Sequence, residues 1–209
     1  MIKVKIQNKY NYSIVIEDLS KLTTYDGSQL SSQFTSQNYD VIGNSILVFR
    51  GGMKLSPKEM VDIKDIQRES HLSNILISSD DSLHFIIEEF DIQPPNMEIE
   101  YYRLRMLTQI VIELLNSRGI TTNRKGTDIY IQDKKVNVGI ASISVSSSKI
   151  HFGINLGDTG FPKHVKATCL FNLGVQEEEI ADIITQITER YINGIQKIKE
   201  DVAKTKYIQ

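Results

Sequence analysis

KGTDIYIQDKKVNVGIASISVSSSKIHFGINL, from Lys125 to Leu156, is the stretch of sequence that decides the fold of this chain. In three successive short runs, apolar residues alternate with polar or very small ones, which is the pattern of a strand with one buried face. The sequence therefore predicts three successive strands whose apolar side chains point into a core. The residues expected on that core face are Ile129, Ile131, Val136, Val138, Ile140, Ile150, Phe152 and Ile154.

The opposite face of the three strands is the candidate functional surface. A glycine inside a strand often marks a place where a ligand or another backbone comes close, and polar groups beside small residues are typical of a pocket wall. A half-exposed antiparallel sheet with a hydrated polar face would show the same alternation, so both interpretations are kept. The residues expected on this face include Asp128, Lys135, Asn137, Gly139, Ala141, His151, Gly153 and Asn155.

The rest of the chain predicts more strands and two long helices. Strand patterns cover residues 2–7, 13–17, 45–50 and 82–90. Apolar residues at helical spacing run from Asn96 to Gly119 and from about Glu177 to Lys204, and a serine cap predicts a further helix from Ser56 to near Ser70. We therefore expect one α+β domain over residues 1–209, with a mixed, mostly antiparallel sheet and the long helices packed on one face.

The composition of the chain restricts the kinds of binding partner and the cellular compartment that we expect for it. A formal net charge of -2 gives no general basic field, so broad nucleic-acid binding is not implied. The single cysteine cannot form an internal disulfide, which suits a cytoplasmic protein. No segment approaches the roughly 20 apolar residues of a membrane span. One cysteine and four histidines at scattered positions provide no metal-ligand spacing, so no metal site is predicted.

Two stretches outside the central strands are further candidates for ligand binding. Arg50 ends the apolar strand 45–50 and precedes Gly51 and Gly52, so its guanidinium and the following backbone amides could bind a phosphate or a carboxylate. The same pattern occurs at ordinary strand ends. Tyr25–Leu30 contains the turn signal Asp26-Gly27. It is either a recognition loop, in which Ser28 and Gln29 could bind a polar ligand edge, or a surface loop.

The central stretch resembles the catalytic core of the biotin protein ligases, the lipoate protein ligases and the octanoyltransferases. The matching residues are Thr127-Asp128, Lys135 with Gly139 after it, and the HFGIN sequence that ends at Asn155. The resemblance implies a ligase-like fold in which Lys135 holds the carboxyl group of an acid and the phosphate of its adenylate. It also implies ATP with magnesium as cofactors, and a carrier protein as acceptor. Over most of its length, the chain is similar to the family called domain of unknown function 366.

Cys169 is the second candidate catalytic residue. It follows Asn155 by about the interval at which the octanoyltransferases place their cysteine, and a neighbouring Lys135 ammonium would lower the pKa of its thiol and favour an acyl-enzyme. A different interpretation is structural. Val165, Ala167, Cys169 and Phe171 alternate like one face of a strand, which would bury the thiol.

Departures from the ligase pattern leave the reaction open. Arg124 stands where the biotin ligases carry a lysine, and Cys169 lacks an adjacent glycine. One hypothesis is a ligase or acyltransferase that acts on a carboxylic acid or its adenylate. Another is a non-catalytic module that binds a small molecule or a nucleotide on the same scaffold. The third is an assembly protein, for instance a homodimer built on the C-terminal helix.

Overall fold

The computed structural model of the chain describes residues 4–56, 59–63, 66–67 and 77–206. The helix predicted from Ser56 to near Ser70 lies partly outside these ranges, at residues 57–58, 64–65 and 68–70. The strands are β1 Lys5–Lys9, β2 Tyr12–Ile16, β3 Asn44–Leu55, β4 Ile77–Glu89, β5 Asn123–Lys125, β6 Asp128–Ile131, β7 Lys134–Lys135, β8 Asn137–Ile143 and β9 Ser148–Asn155. The α-helices are α1 Phe34–Tyr39, α2 Met97–Ser117 and α3 Ile180–Lys204, and short 3-10 helices cover Ser28–Leu30, Phe171–Leu173 and Glu177–Glu179.

One large sheet organises the molecule. Its strand order is β1-β2-β3-β4-β9-β8, and β5, β6 and β7 form a separate small sheet. Only the β2–β3 pair among these strands is parallel, so the mixed, mostly antiparallel sheet and the α+β class are confirmed. β3 does not end at Arg50, because it continues through Gly51 and Gly52 to Leu55 with a register shift in its pairing to β4.

The two long helices cover one face of the large sheet, as the sequence predicts. The side chain of Asn96 accepts a hydrogen bond from the backbone N–H of Ile99, which caps the start of α2. Apolar residues of α2 and α3 pack on Phe85 of β4 and Phe152 of β9 in one buried cluster. A second apolar cluster, which includes Tyr25, lies on the opposite face. Among the described residues, no helix is long and apolar enough to cross a membrane.

Buried charges at the end of β4 join the sheet to both long helices. Glu89 forms an ion pair of 2.8 Å with Arg103 of α2, and it accepts hydrogen bonds from the hydroxyl groups of Tyr12 and Tyr191. Arg103 also pairs with Asp91 at 2.9 Å. Since a buried charge is stable only when it is paired and hydrogen-bonded, this cluster fixes the position of α2 and α3 on the sheet.

Glu100, in the first turn of α2, is the exception in this cluster. Its side chain is 1% exposed, and neither carboxyl oxygen has a hydrogen-bond partner among the described residues. Burial, followed by the charge of Glu89, raises the pKa of Glu100 to about 8. The folded protein therefore keeps this carboxyl protonated at pH values where the unfolded chain ionises it.

We expect Glu100→Gln to remove a pH-dependent loss of stability. A carboxyl group with a raised pKa in the folded state stabilises the fold fully below its unfolded pKa, and that contribution is lost as the pH rises toward about 8. The difference in the free energy of unfolding between Glu100→Gln and the original protein should therefore grow from pH 5 to pH 8, by about 1 kcal/mol or more, and then level off. Urea denaturation across this range measures it.

Glu98→Gln is the matched control, because Glu98 lies in the same helical turn with an exposed side chain. It should show no comparable growth with pH. A pH-independent difference for Glu100→Gln would mean that the Glu100 carboxyl ionises normally in the folded protein.

Candidate functional site

A cavity of about 560 Å³ lies on the face of the sheet that is opposite the long helices. Strands β6, β7, β8 and β9 and the segment 161–167 contribute to its wall. Asp128, Lys135 and Asn137 contribute polar side chains where β7 leads into β8, and Asp62, His151 and His164 also line the cavity. Much of the remaining wall is apolar. The apolar lining includes Met53, Leu55, Ile77, Val138, Ile140 and Phe161. A concave, mostly apolar site with a few convergent polar groups is the usual form of a small-molecule site.

Lys135 and Asp128 form an ion pair in the wall of this cavity, where β7 leads into β8. The Lys135 Nζ lies 2.7 Å from Asp128 Oδ1, and each side chain is less than a third exposed. The backbone of Lys135 is fixed on both sides, because its N–H donates to the Lys166 carbonyl and its carbonyl accepts from the Thr168 N–H, each at 2.9 Å. The ammonium is therefore held at the cavity wall by a rigid backbone and one carboxylate.

Asn137 and Asn155 lie beside this ion pair and line the same cavity. The Asn137 side chain accepts from the Ile129 N–H at 2.7 Å and donates to the Thr127 carbonyl at 3.0 Å. The Asn155 amide donates to the Thr168 carbonyl at 3.0 Å. Asn137 thus holds the backbone on either side of Asp128, and Asn155 holds Thr168, whose N–H donates to the Lys135 carbonyl. Both asparagines therefore shape the site. Direct ligand contact by their amides stays a prediction.

The alternation expected for β8 is wrong. Asn137, Gly139 and Ala141 pair with core residues of β9, whereas Val138 and Ile140 pair with Gly153 and His151. Asn137 and Gly139 line the cavity as predicted, but Val138 and Ile140 line it too. A Cβ on Gly139 would lie 3.2 Å from Phe152 and 3.3 Å from Leu104. Gly139 is therefore small because α2 packs closely on the sheet at this point. The alternation is reset because the chain leaves the small sheet after β7 and enters the large sheet at β8.

His151 lines the cavity and forms a buried pair with His84, which lies behind it. The His151 Nε2 lies 3.0 Å from His84 Nδ1, and the His84 Nε2 lies 3.2 Å from the Gly51 carbonyl oxygen. The Tyr25 ring stacks on His151 with a centroid distance of 3.6 Å. Gly153 leaves room for the pair, since a Cβ there would lie within 3.5 Å of both imidazoles. Burial lowers the pKa of His84 to about 4 and that of His151 well below its ordinary value.

His84 lies on the inner strand β4, and both of its ring nitrogens have partners. The sequence places Tyr25 in the candidate recognition loop but does not predict its contact with His151. Tyr25 lies far from His151 in the sequence, so no local pattern could have placed the two rings together.

Arg50 does not line the cavity. Its guanidinium binds Asp81 through two hydrogen bonds of 2.8 Å and Glu177 through one of 2.5 Å. It also lies over the Phe171 ring, 5.6 Å from the centroid. The predicted anion site at this strand end is therefore occupied by carboxylates of the protein itself.

Gly51 has a packing role at the same point of β3. A Cβ on Gly51 would lie 2.1 Å from the Thr23 carbonyl oxygen. The Thr23 N–H donates to the Arg50 carbonyl at 2.8 Å, so the segment around Thr23 runs directly against the strand. No room remains for a phosphate against the Gly51 backbone on this side.

Side chains of the predicted recognition loop Tyr25–Leu30 bond to the backbone and side chains of the same loop and of Thr24 just before it. The Asp26 carboxylate accepts from the N–H and the hydroxyl of Ser28 at 3.0 and 2.6 Å. Gln29 is buried, and its amide donates to the Thr24 carbonyl at 3.1 Å. These contacts hold the loop, including Tyr25, in position beside the histidine pair.

Cys169 is buried and does not line the cavity. Its side chain is 1% exposed, and burial raises the pKa of its thiol. The expected strand over residues 165–171 is wrong, since this segment makes only an isolated bridge between Ala167 and Lys135. The expectation that Lys135 lowers the pKa of this thiol is also wrong. A buried thiol with a raised pKa is a poor nucleophile, because the thiolate is the reactive form.

We expect the Cys169 thiol to be unreactive in the folded protein. A small neutral disulfide reagent at pH 7 should label it slowly under native conditions and quickly in denaturant, because labelling requires local or global opening. The absorbance of the thiol that the reagent releases, followed over time, measures both rates. Fast native labelling would show that the thiol is accessible and would restore the acyl-enzyme hypothesis.

Two solved structures of ligases share this fold. The chain superimposes on biotin protein ligase from Aquifex aeolicus in complex with biotin and ATP with a TM-score of 0.56 and 16% identity, covering 90% of this chain and 72% of that one. For a putative lipoate protein ligase from T. acidophilum with bound lipoic acid, the TM-score is 0.50 and the identity 12%, covering 84% of this chain and 82% of that one. These similarities confirm the ligase-like fold.

Nearer relatives carry no established activity. A structure of a protein of unknown function from Pyrococcus horikoshi has a TM-score of 0.85 and 30% identity, covering 95% of this chain and 100% of that one. An uncharacterized protein of Methanocaldococcus jannaschii is 36% identical over 181 residues, which are 87% of this chain and 79% of the relative. The family model described as domain of unknown function (DUF366) matches residues 14–206, so the chain belongs to the DUF366 family.

Proposed function

We propose that the cavity binds a small carboxylic acid, or the adenylate of one, with the carboxyl end at Lys135. The observation that carries this proposal is the Lys135 ammonium at one end of an otherwise largely apolar cavity. Among the described residues that line the cavity, Lys135 is the one lysine or arginine. An apolar ligand with a single negative end fits such a site.

The ion pair with Asp128 leaves the Lys135 ammonium able to bind a ligand. An ammonium group has three donors, and Asp128 accepts one of them at 2.7 Å. A carboxylate or phosphoryl oxygen of the ligand can accept another in a charge-assisted hydrogen bond. Asp128 holds the ammonium in place for that contact. The two ligase structures with the same fold contain biotin with ATP, and lipoic acid, and these ligands support an acid as the class to test.

The described residues fit an acid better than they fit ATP with magnesium. A triphosphate requires several cations or backbone amides, but Arg50 is bonded to Asp81 and Glu177 and Gly51 is packed against Thr23. No cluster of three or more potential metal ligands occurs among the described residues. ATP and magnesium therefore stay a prediction from the family resemblance.

Activity on the acid is the finer part of the proposal. A ligase or an acyltransferase would use the Lys135 ammonium to stabilise negative charge that develops at the acyl group in the transition state. The burial of Cys169 argues against an acyl-enzyme. The alternative is a non-catalytic binding module that uses the same cavity. A carrier-protein acceptor and a homodimer stay predictions.

Thermal unfolding in the presence of candidate ligands tests the proposal. Biotin, lipoate and octanoate are added alone and with ATP and magnesium, together with the acyl adenylates, because selective binding to the folded state raises the melting temperature. We expect at least one acid or adenylate to raise it in a concentration-dependent manner. A matched set of primary amides of the same acids, which lack the negative charge, should give no comparable rise. Failure of all the acids and adenylates would overturn the proposal.

A further inference from the structure

The bonds of the His84–His151 pair determine which ring nitrogens carry protons. The Gly51 carbonyl can only accept, so the His84 Nε2 at 3.2 Å from it must carry a hydrogen. His84 is fully buried, and burial lowers its pKa to about 4, so the ring is neutral at pH 7 and its Nδ1 is a lone-pair acceptor. That Nδ1 accepts at 3.0 Å from the Nε2 of His151, which therefore carries the hydrogen of His151.

The second nitrogen of His151, Nδ1, is left as a hydrogen-bond acceptor. Burial and the neighbouring His84 hold the pKa of His151 well below its ordinary value, so its ring is also neutral at pH 7. No described residue forms a hydrogen bond with this nitrogen, and His151 lines the cavity. The Gly51 carbonyl thus fixes the tautomer of a cavity residue through His84.

His151 stands at a distance from Lys135 that a ligand can span. His151 and Asn155 lie on the same face of β9 and both line the cavity. Their four-residue separation corresponds to about 13 Å along the strand. Asn155 is adjacent to the Lys135 end, because its N–H donates to the Val136 carbonyl at 2.9 Å. Val138 and Ile140 line the wall between the two ends.

We propose that the ligand carries an N–H or O–H donor at the end opposite its carboxyl group, and that His151 Nδ1 accepts this hydrogen bond. The proposal rests on the proposed function for the position of the carboxyl end. It selects an acid with a polar, donor-bearing head over a purely aliphatic acid. His84 is a positioning residue, because it acts on the ligand only through the tautomer of His151.

Nitrogen-15 NMR of the uniformly labelled protein tests the tautomer and the donor contact without any acid. We expect the His151 signals at pH 7 to show a protonated Nε2 and an unprotonated Nδ1. Ethylene urea, a small cyclic N–H donor, should shift the Nδ1 signal, and its N,N′-dimethyl derivative should not. His84→Phe should alter the tautomer of His151. A protonated Nδ1, or equal shifts with both ureas, or no shift with either, would overturn the inference.

Calorimetric titration tests the same contact with complete ligands. Biotin and lipoate both carry a pentanoate chain on a ring, but only the biotin ring has N–H donors. We expect biotin to bind at least roughly fivefold more tightly, which is the value of one ordinary hydrogen bond. His151→Phe keeps a ring to stack on Tyr25 and should lose the preference. His151→Asn keeps an acceptor oxygen and should retain part of it.

The two proposals fail in different ways. If ethylene urea alone shifts the His151 signal but no acid binds, the donor contact is supported and the carboxyl site at Lys135 is wrong. If acids bind without regard to N–H donors and neither urea shifts the signal, the acid site is supported and the donor contact is wrong.

Discussion

Lys135→Ala should weaken the binding of a carboxylic acid at least roughly tenfold without unfolding the protein. A hydrogen bond to a charged group contributes about 1.5–3 kcal/mol, which corresponds to roughly 10- to 150-fold in affinity. The loss of the ammonium would also leave the Asp128 carboxylate, now 2.7 Å from Lys135 Nζ, without this partner beside an anionic ligand. Both the lost hydrogen bond and the unpaired carboxylate weaken the binding of the acid. Titration calorimetry with the acid that gives the largest thermal shift measures the change.

Lys134→Ala is the matched control for this experiment. Lys134 has an exposed side chain, precedes Lys135 in β7 and does not line the cavity, so its removal changes the net charge equally without touching the site. Its effect on affinity should be small, because solvent and salt screen exposed charges. Equal losses for the two variants would mean that the acid responds to the general charge of the surface. Unchanged affinity in Lys135→Ala would show that the carboxyl group binds elsewhere.

Gly51→Ala should cost about 3 kcal/mol or more of the free energy of unfolding. The new Cβ would lie 2.1 Å from the Thr23 carbonyl oxygen and 2.7 Å from the Thr23 nitrogen, and backbone atoms cannot move aside as a side chain can. For a chain of this size, such a loss corresponds to a fall of about 6–12 °C in melting temperature. The displaced segment leads to Tyr25, which stacks on His151, so ligand binding should weaken as well.

Gly52→Ala separates this packing effect from a general requirement for glycine in the strand. A Cβ on Gly52 would lie 3.1 Å from the nearest atom, the Ser79 carbonyl oxygen, a contact that a small adjustment relieves. We expect a loss of about 1 kcal/mol or less. Denaturation in urea compares the two variants. If Gly51→Ala were as stable as Gly52→Ala, Thr23 would not be packed against this strand as described.

Much of the fold follows from periodicity in the sequence. The apolar repeat of α3 and the cap at Asn96 are local signals, and both helices form where these signals place them. The alternation of Ile150, Phe152 and Ile154 likewise predicts the buried face of β9. A local pattern is sufficient in these cases because each element buries one continuous face of its own.

The candidate site follows from the sequence less completely. Asp128, Lys135, Asn137, His151 and Asn155 do reach one cavity, since they lie on successive strands. The alternation of β8 could not be predicted because the change of sheet after Lys135 has no sequence signal. Arg50 and Gly51 were placed wrongly because their partners, Asp81 and Thr23, lie far away in the sequence or in a loop without periodicity.

A crystal structure of the complex with the best-binding acid tests the central claim most directly. We predict that one carboxylate oxygen of the acid lies within hydrogen-bonding distance of Lys135 Nζ, that Asp128 still contacts the ammonium, and that the apolar part of the acid runs along Val138 and Ile140 toward His151. An acid bound with its carboxylate at Arg50, or in the reverse direction with its carboxylate at His151, would contradict the account.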